Sequence, residues 1–161
     1  QELILERSSL NLGDIVETSL KNNDTFRKKD VGFRTDIQRD PLYVLCDEAL
    51  LCRVLNNLIH NACRVTDCGY IEVICTCDVR SNRAIVCIRD TGPGIPADQR
   101  DKIFNKFIRL KSADQLYSSK GLGLTFCKMV IEAHDGNIHA TENPEGGTDM
   151  VFDLPLAHLP N

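Results

Sequence analysis

Asn57-Leu58-Ile59-His60-Asn61-Ala62 places two amide side chains four residues apart inside an otherwise apolar helical pattern. Working outward, Leu50, Leu51, Val54, Leu55, Leu58, Ile59 and Ala62 recur at the i, i+3, i+4 spacing of one helix face, and Asp47 stands where an N-cap belongs. The pattern predicts a helix from Glu48 to about Arg64. On it Asn57 and Asn61 lie about 40° apart and Arg64 about 60° from Asn61, all bordering the apolar stripe. Asparagine is a mediocre helix former, and a buried amide without partners costs about 1–3 kcal/mol. Spacing alone therefore leaves two readings open, a ligand site or a solvated flank of the helix.

The neighbouring segments set the fold class. Asn11 precedes a second helical pattern, Leu12, Ile15, Val16 and Leu20, which ends near Asn23. Val31, Phe33, Thr35 and Ile37 alternate as in a strand, and Tyr43 to Cys46 is a short apolar run beyond Pro41; the two are expected to form a strand pair. Ile71 to Val79 and Ala84 to Ile88 flank Arg80-Ser81-Asn82-Arg83 as a hairpin would. Residues 96–120 are polar and irregular, apart from the amphipathic piece Ile103-Phe104-Asn105-Lys106-Phe107, and so long a stretch without periodicity points to function. A last helix runs from about Leu122 to His134 and stops at Asp135-Gly136, and Asn137–Thr141 and Thr148–Leu154 read as closing strands. This order implies an α+β fold: a two-layer sandwich whose mixed sheet, of about five or more strands, carries its helices on one face.

Composition narrows the function classes. The chain has 161 residues, 42% of them apolar, enough for one domain with a real core. A net charge of −4 argues against a nucleic-acid surface, so an anionic ligand must be held locally by backbone donors and a few cations. No apolar run approaches the roughly 20 residues of a membrane-spanning helix, and nothing at the start resembles a signal peptide. We expect a cytoplasmic protein with no direct membrane contact by this part of it. The first residue is Gln1, which suggests an excised or processed chain. None of the eight cysteines has the two-residue spacing usual in zinc knuckles, and most fall where a small apolar residue packs, so reduced buried thiols are expected. Cys75 and Cys77 share a strand face, which leaves a redox or metal role open for them.

Two glycine segments carry further chemical signal. In Asp90-Thr91-Gly92-Pro93-Gly94 a carboxylate at a strand end precedes alternating glycines. Glycine lets backbone approach a ligand, and a carboxylate there accepts from an exocyclic amine; a plain Pro-Gly turn would need nothing from Asp90. Lys120-Gly121-Leu122-Gly123-Leu124 opens the last helix, whose unpaired amides and dipole favour anions; a loop hinge would have the same composition.

Taken together, from about Asn11 to Pro155, the chain resembles the ATP-binding catalytic domain of sensor histidine kinases, within the superfamily that includes type II topoisomerases, Hsp90 chaperones and MutL. Asn57 and Asn61 fall on that family's N box, Asp90, Gly92 and Gly94 on its first glycine box, Ile103–Phe107 on its F box, and Gly121 and Gly123 on its second glycine box. Gly146-Gly147-Thr148 with Phe152, Leu154 and Pro155 matches its usual ending. The resemblance implies a Bergerat-type ATP-binding fold with ATP and Mg²⁺ as cofactors. It implies that Asn61 holds the Mg²⁺ bridging the phosphates, that Asn57 positions the γ-phosphate, and that Asp90 binds the adenine amino group close to Gly92, Gly94 and Ile95. Arg64, Arg109 and Lys120 are the implied phosphate contacts. Phe107, Leu122, Leu124 and Thr148 complete the implied binding set, under a lid of about residues 96–120.

The same resemblance implies a histidine-bearing dimerisation domain elsewhere in the full-length protein, possibly acting in trans, and a response regulator downstream. Residues 1–10 would then be a linker or the end of the upstream dimerisation helix, residues 11–156 the catalytic domain, and residues 157–161 a tail. The sequence departs from the family at Ser119, where a glycine is usual, and at Val65, where an aromatic is frequent. Among its own histidines, His134 is followed by an acid but sits where the family carries a structural histidine. His60 points away from Asn57 and Asn61 by helix geometry, and His139 and His158 have no supporting pattern. Two other functions stay open: a regulatory nucleotide-binding module without phosphotransfer, and an ATPase of the same superfamily. Against the ATPase, those enzymes usually carry a glutamate at the position of Asn57.

Overall fold

The computed structural model describes residues 3–38, 41–105 and 123–157. In chain order the elements are β1 (Arg7–Asn11), α1 (Leu12–Asn23), β2 (Asp30–Ile37), β3 (Tyr43–Asp47), α2 (Glu48–Val65), β4 (Cys68–Asp78), β5 (Arg83–Asp90), α3 (Gly123–Ala133), β6 (Ile138–Glu142) and β7 (Thr148–Pro155). Short 3-10 turns lie at Asp24–Phe26, Ala97–Gln99 and Lys102–Phe104.

A five-stranded mixed sheet runs in the order β2-β4-β5-β7-β6, with β2 parallel to β4 and the other pairs antiparallel. Strand alternation sends Ile71, Val73 and Cys75 of β4, Ala84, Val86 and Ile88 of β5, and Met150, Phe152 and Leu154 of β7 to one buried face. There they share one core with Leu12, Ile15 and Val16 of α1, with Leu51, Val54, Leu55, Leu58 and Ile59 of α2, and with Leu124, Cys127, Val130 and Ile131 of α3. Helices on one face of a mixed sheet make this the α+β sandwich expected from the element order. The hairpin between β4 and β5 is also present, in the register Asp78↔Arg83.

The described part of the N-terminal segment differs from expectation at Arg7–Leu10. Arg7–Asn11 is a strand, not the end of a helix, and it pairs antiparallel with β3 from Arg7↔Asp47 to Asn11↔Tyr43. The expected pair of β2 with β3 does not form either; β3 joins β1 in a separate two-stranded sheet, while β2 pairs with β4. Neither partnership is local, so no turn signal could have announced it. At the other end, Ala157, assigned to the tail, donates its N–H to the Tyr43 carbonyl (3.0 Å), and Leu156 bridges to Val44. The folded unit therefore extends from β1 to at least Ala157.

Both predicted caps are made. Asn11 accepts from the Gly13 N–H (3.1 Å) and Asp47 from the Leu50 N–H (3.1 Å). Asp47 does more than cap α2. Its other oxygen accepts from the Glu6 N–H (3.0 Å), and its own N–H donates to Nε2 of His134 (3.0 Å). The buried His134 ring then has Nδ1 facing the Val130 carbonyl at 2.8 Å, so Nδ1–H is the donor and the residue locks the end of α3 to the start of α2. The Glu6 N–H, more than any other group, holds the Asp47 carboxyl below its ordinary value near 3.8. A depressed pKa means that the stabilisation is complete above the unfolded value and is lost as pH falls through the folded one. Asp47→Ala is accordingly expected to cost about 1 kcal/mol at pH 7, as a lost N-cap does, with the gap to the unmodified chain closing below about pH 4. Urea melts of both proteins across pH 3–7 measure this, and a gap independent of pH would contradict it.

All eight cysteines are free, and four of them, Cys46, Cys63, Cys75 and Cys127, are buried. Burial pushes Cys46, Cys75 and Cys127 up to about 12 and Cys63 to about 11, as inert packing thiols require. Cys52, Cys77 and Cys87 are half-buried, while Cys68 is exposed. Among the described residues no group of three or more His, Cys, Asp or Glu side chains comes together to hold a metal ion.

Candidate functional site

The site is built where three elements end or begin: the C-terminal half of α2, the end of β5 and the first turn of α3. On α2, Asn57 is half-buried and Asn61 is 6% exposed. The first described residue of α3 packs beside Asn57; a Cβ placed on Gly123 would lie 3.9 Å from its Oδ1. One turn further along α3, the Cys127 thiol meets the Val54 carbonyl (3.9 Å) and lies within hydrogen-bonding reach of Asn57. Asn57 thus stands between α2 and the start of α3, not on a solvated flank.

Asp90 ends β5 and is 1% exposed. Its Oδ1 accepts from the N–H groups of Gly92 (2.9 Å) and Thr148 (3.2 Å). Two backbone donors on one oxygen fix the carboxylate's orientation, as its burial demands. Gly92 is packed so closely that an added Cβ would meet the Val65 carbonyl at 3.0 Å and Asp90 Oδ1 at 3.1 Å. Gly94 has φ +82° and Ile95 is 5% exposed, with its carbonyl accepting from Nε of Arg100 (3.1 Å). The Asp90–Gly94 loop is therefore wedged against the last residue of α2, which brings the two amides and the carboxylate into one region. Beside the loop, a cavity of about 400 Å³ is lined by residues that include Gly94, Ile95, Arg100 and Gly147, but not by Asn57, Asn61 or Asp90.

Two supporting residues escaped the sequence reading. Asn143, 0% exposed, donates from Nδ2 to the Asp90 carbonyl (3.0 Å) and accepts the Glu145 N–H on Oδ1 (3.1 Å), while its N–H reaches the Gly147 carbonyl (3.1 Å). It holds the turn between β6 and β7 against the end of β5. The available signal was an asparagine heading Pro144-Glu145-Gly146-Gly147, the pattern of an Asx turn. Thr91 is the other: its hydroxyl donates to the Cys68 carbonyl (2.9 Å) and accepts from the Tyr70 N–H (3.0 Å), tying the loop to β4.

The remaining expected residues divide. Leu124 is 1% exposed within the core, so only its backbone faces the helix start, and Thr148 enters through the N–H it gives Asp90. Arg64 is half-buried, burial pulls its pKa down, and its charge adds to the burial that lowers the pKa of His60. The His60 ring lies against Phe26, with centroids 4.5 Å apart. Ile103 and Phe104 are buried, and the Phe104 carbonyl accepts from the Thr125 hydroxyl (3.2 Å), which joins the start of the F box to α3. Phe107, Arg109, Lys120, Gly121 and Leu122, with Ser119 and most of the expected lid, lie outside the described residues.

These donors fit a nucleotide with its metal. Magnesium takes oxygen ligands and keeps several waters, so one amide oxygen plus phosphates suffices. Gly123, which has no side chain, leaves the backbone beside Asn57 open to approach.

Comparison with known proteins identifies the family. Residues 46–158 match the family model described as histidine kinase-, DNA gyrase B- and HSP90-like ATPase. The chain is 33% identical over 156 residues to the adaptive-response sensory kinase SasA of Microcystis aeruginosa, covering 96% of this chain and 40% of that protein. It thus spans about two fifths of the length of this curated relative. Full-length ShkA, solved in complex with AMPPNP, superposes with a TM-score of 0.85 at 20% identity, over 100% of this chain and 33% of that one. The histidine kinase ThkA, solved with the response regulator TrrA, superposes with a TM-score of 0.77 at 23% identity, over 95% of this chain and 42% of that one.

Proposed function

The chain belongs to the histidine kinase-, DNA gyrase B- and HSP90-like ATPase family, and from that membership we propose that it is the ATP- and Mg²⁺-binding catalytic domain of a two-component sensor histidine kinase. The full-length protein then transfers the ATP γ-phosphoryl group to a histidine on its own dimerisation domain, in cis or in trans, for relay to a response regulator. The observation that carries this reading is the buried Asp90 carboxylate, oriented by two backbone N–H groups beside a helix that presents Asn57 and Asn61. The regulator as partner is supported by the ThkA complex. A cytoplasmic location is part of the proposal; no helix of the described residues is long and apolar enough to cross a membrane.

In this proposal each residue acts by position. Asp90 accepts from the adenine amino group and sets the base's orientation, while Gly92 and Gly94 let the base approach the backbone. Asn61 holds Mg²⁺ and Asn57 orients the terminal phosphate from the same helix face. Gly123, at the start of α3, admits phosphate oxygens to backbone N–H groups where the helix dipole favours them. Mg²⁺, when bound, neutralises charge on the phosphate oxygens. Phosphoryl transfer needs little more from a protein than positioning and electrostatic stabilisation, and these residues supply both.

Calorimetry with ATP and millimolar Mg²⁺ tests the pocket: saturable binding is expected, and its absence would end the proposal. Phosphohistidine formation by the full-length protein then separates a kinase from a module that binds nucleotide without transferring phosphate.

A further inference from the structure

α2 lies between α1 and α3, and consecutive residues on it face the two neighbours. Asn57 meets Gly123 and Cys127 of α3. Asn56, one residue earlier and about 100° around the helix, meets α1. Its Oδ1 accepts from the hydroxyl of Ser19 (2.6 Å) and from Nδ2 of Asn23 (3.2 Å). Ser19 is 3% exposed and Asn23 4% exposed, and Nδ2 of Asn23 also donates to the Ser19 carbonyl (2.8 Å). The Asn23 carbonyl in turn faces the Cys63 thiol at 4.0 Å, two residues past Asn61 on α2. The rest of this interface is apolar, formed by Leu12, Ile15, Val16 and Leu20 against the stripe of α2.

We propose that Asn56, held by Ser19 and Asn23, is a positioning residue that sets the rotation of α2 about its axis and thereby aims Asn57 and Asn61 at the metal–phosphate part of the site. This rests on the nucleotide reading above. Apolar contacts between helices tolerate a small rotation, because one methyl group replaces another against the partner. A single oxygen that accepts from two buried residues does not, since turning it away leaves the Ser19 hydroxyl and an Asn23 N–H short of a partner in the interior. Side chains end about 5–6 Å from a helix axis, so a rotation of about 10° shifts the amide oxygens by about 1 Å. Misplacements of that size can cost on the order of a hundredfold where geometry matters. Asp90 is carried by β5 and its carboxylate is oriented by the Gly92 and Thr148 N–H groups, not by a side chain of α2, so the adenine end of the site depends less on this rotation than the amides that α2 itself carries.

The test replaces the polar cluster by apolar residues, Ser19→Ala with Asn23→Leu and Asn56→Leu, a change that buried polar groups often tolerate without loss of stability. Calorimetry on this chain is expected to show Mg·ATP bound about tenfold more weakly, with ADP in EDTA bound within about twofold of the unmodified chain. Unchanged Mg·ATP affinity overturns the proposal, as does an equal loss for both ligands, which would mark a general distortion. Should the triple variant not fold, Ser19→Ala alone removes one donor and is expected to weaken Mg·ATP about threefold with ADP unaffected; no change there overturns the proposal equally. If the unmodified chain binds neither ligand, the nucleotide reading fails as well, a result distinct from the other outcomes.

Discussion

Asp90→Asn is expected to abolish the rise in melting temperature that Mg·ATP gives the unmodified chain, while leaving the melting temperature without nucleotide within a few degrees. The substitution is close to isosteric, and its remaining carbonyl oxygen can still accept from the N–H groups of Gly92 and Thr148. The fold of the loop should therefore survive. What changes is the other corner of the group, where an acceptor becomes an NH₂ donor; in the proposed pocket that corner meets the adenine amine. A donor set against a donor in a buried site loses the hydrogen bond and leaves both groups unsatisfied, about 3–4 kcal/mol together, or a factor of about 10²–10³ in affinity. A ligand at a hundred times its dissociation constant stabilises by about 2.7 kcal/mol, and a loss of this size removes nearly all of that. Thermal melts of both proteins at several ATP concentrations measure the effect. A variant that keeps the full shift would mean that Asp90 does not read the base.

Gly147→Ala is expected to have the largest effect on stability, and Gly146→Ala beside it a much smaller one. Both glycines have positive φ, +109° at Gly147 and +100° at Gly146, so alanine is strained at each by about 1–2 kcal/mol. Only Gly147 is also hemmed in. A Cβ there would fall 2.1 Å from the Asp90 carbonyl oxygen and 2.8 Å from its carbon, whereas nothing lies within 4 Å of one on Gly146. The obstacle is backbone, which cannot swing aside as a side chain would. Relief requires separating the turn between β6 and β7 from the end of β5, which breaks the Asn143 bond to the same carbonyl. Strain, overpacking and the lost bond come to about 4–5 kcal/mol for Gly147→Ala. At about 2–4 °C per kcal/mol this lowers the melting temperature by roughly 8–20 °C, against about 2–8 °C for Gly146→Ala. Nucleotide affinity should fall with it, because the turn supplies the Thr148 N–H that orients Asp90. Equal melting temperatures for the two variants would contradict this account.

The two glycines also show where sequence reading stops. Both belong to one recognisable Gly146-Gly147-Thr148 ending, and composition alone assigns them a shared turn. That one stands in open space and the other against Asp90 depends on how β7 returns beside β5. The same holds for Asn143, an ordinary turn residue in the sequence and a buried clamp in the fold. Asn57 was readable as half of a spaced amide pair, yet its distinction from a solvated residue came from Gly123, 66 positions away, packing over it. Local signals fared best. The caps at Asn11 and Asp47, the β4–β5 hairpin and the end of α3 at Asp135-Gly136 each rest on contacts within a few residues, and each is present. What differs is long-range: Arg7–Asn11 is a strand where a linker or helix end is expected, and β3 pairs with it rather than with β2. Short apolar strands carry no mark of their partner, and β3 found its own across more than 30 residues.

By itself the sequence determined the α+β class, the helices and their caps, the hairpin, and the ordered motifs at family spacing. Periodicity and motif spacing are properties of the chain that survive without knowledge of distant contacts. Only the tertiary structure decided that Arg7–Asn11 closes a second sheet, that Asp90 is oriented by Gly92 and Thr148, and that Asn56 and Asn57 face different helices. Those outcomes follow from which buried polar groups find partners once α1, α3 and the β6–β7 turn have packed around α2 and β5, and apart from Gly92 beside Asp90 no short stretch of sequence contains both partners.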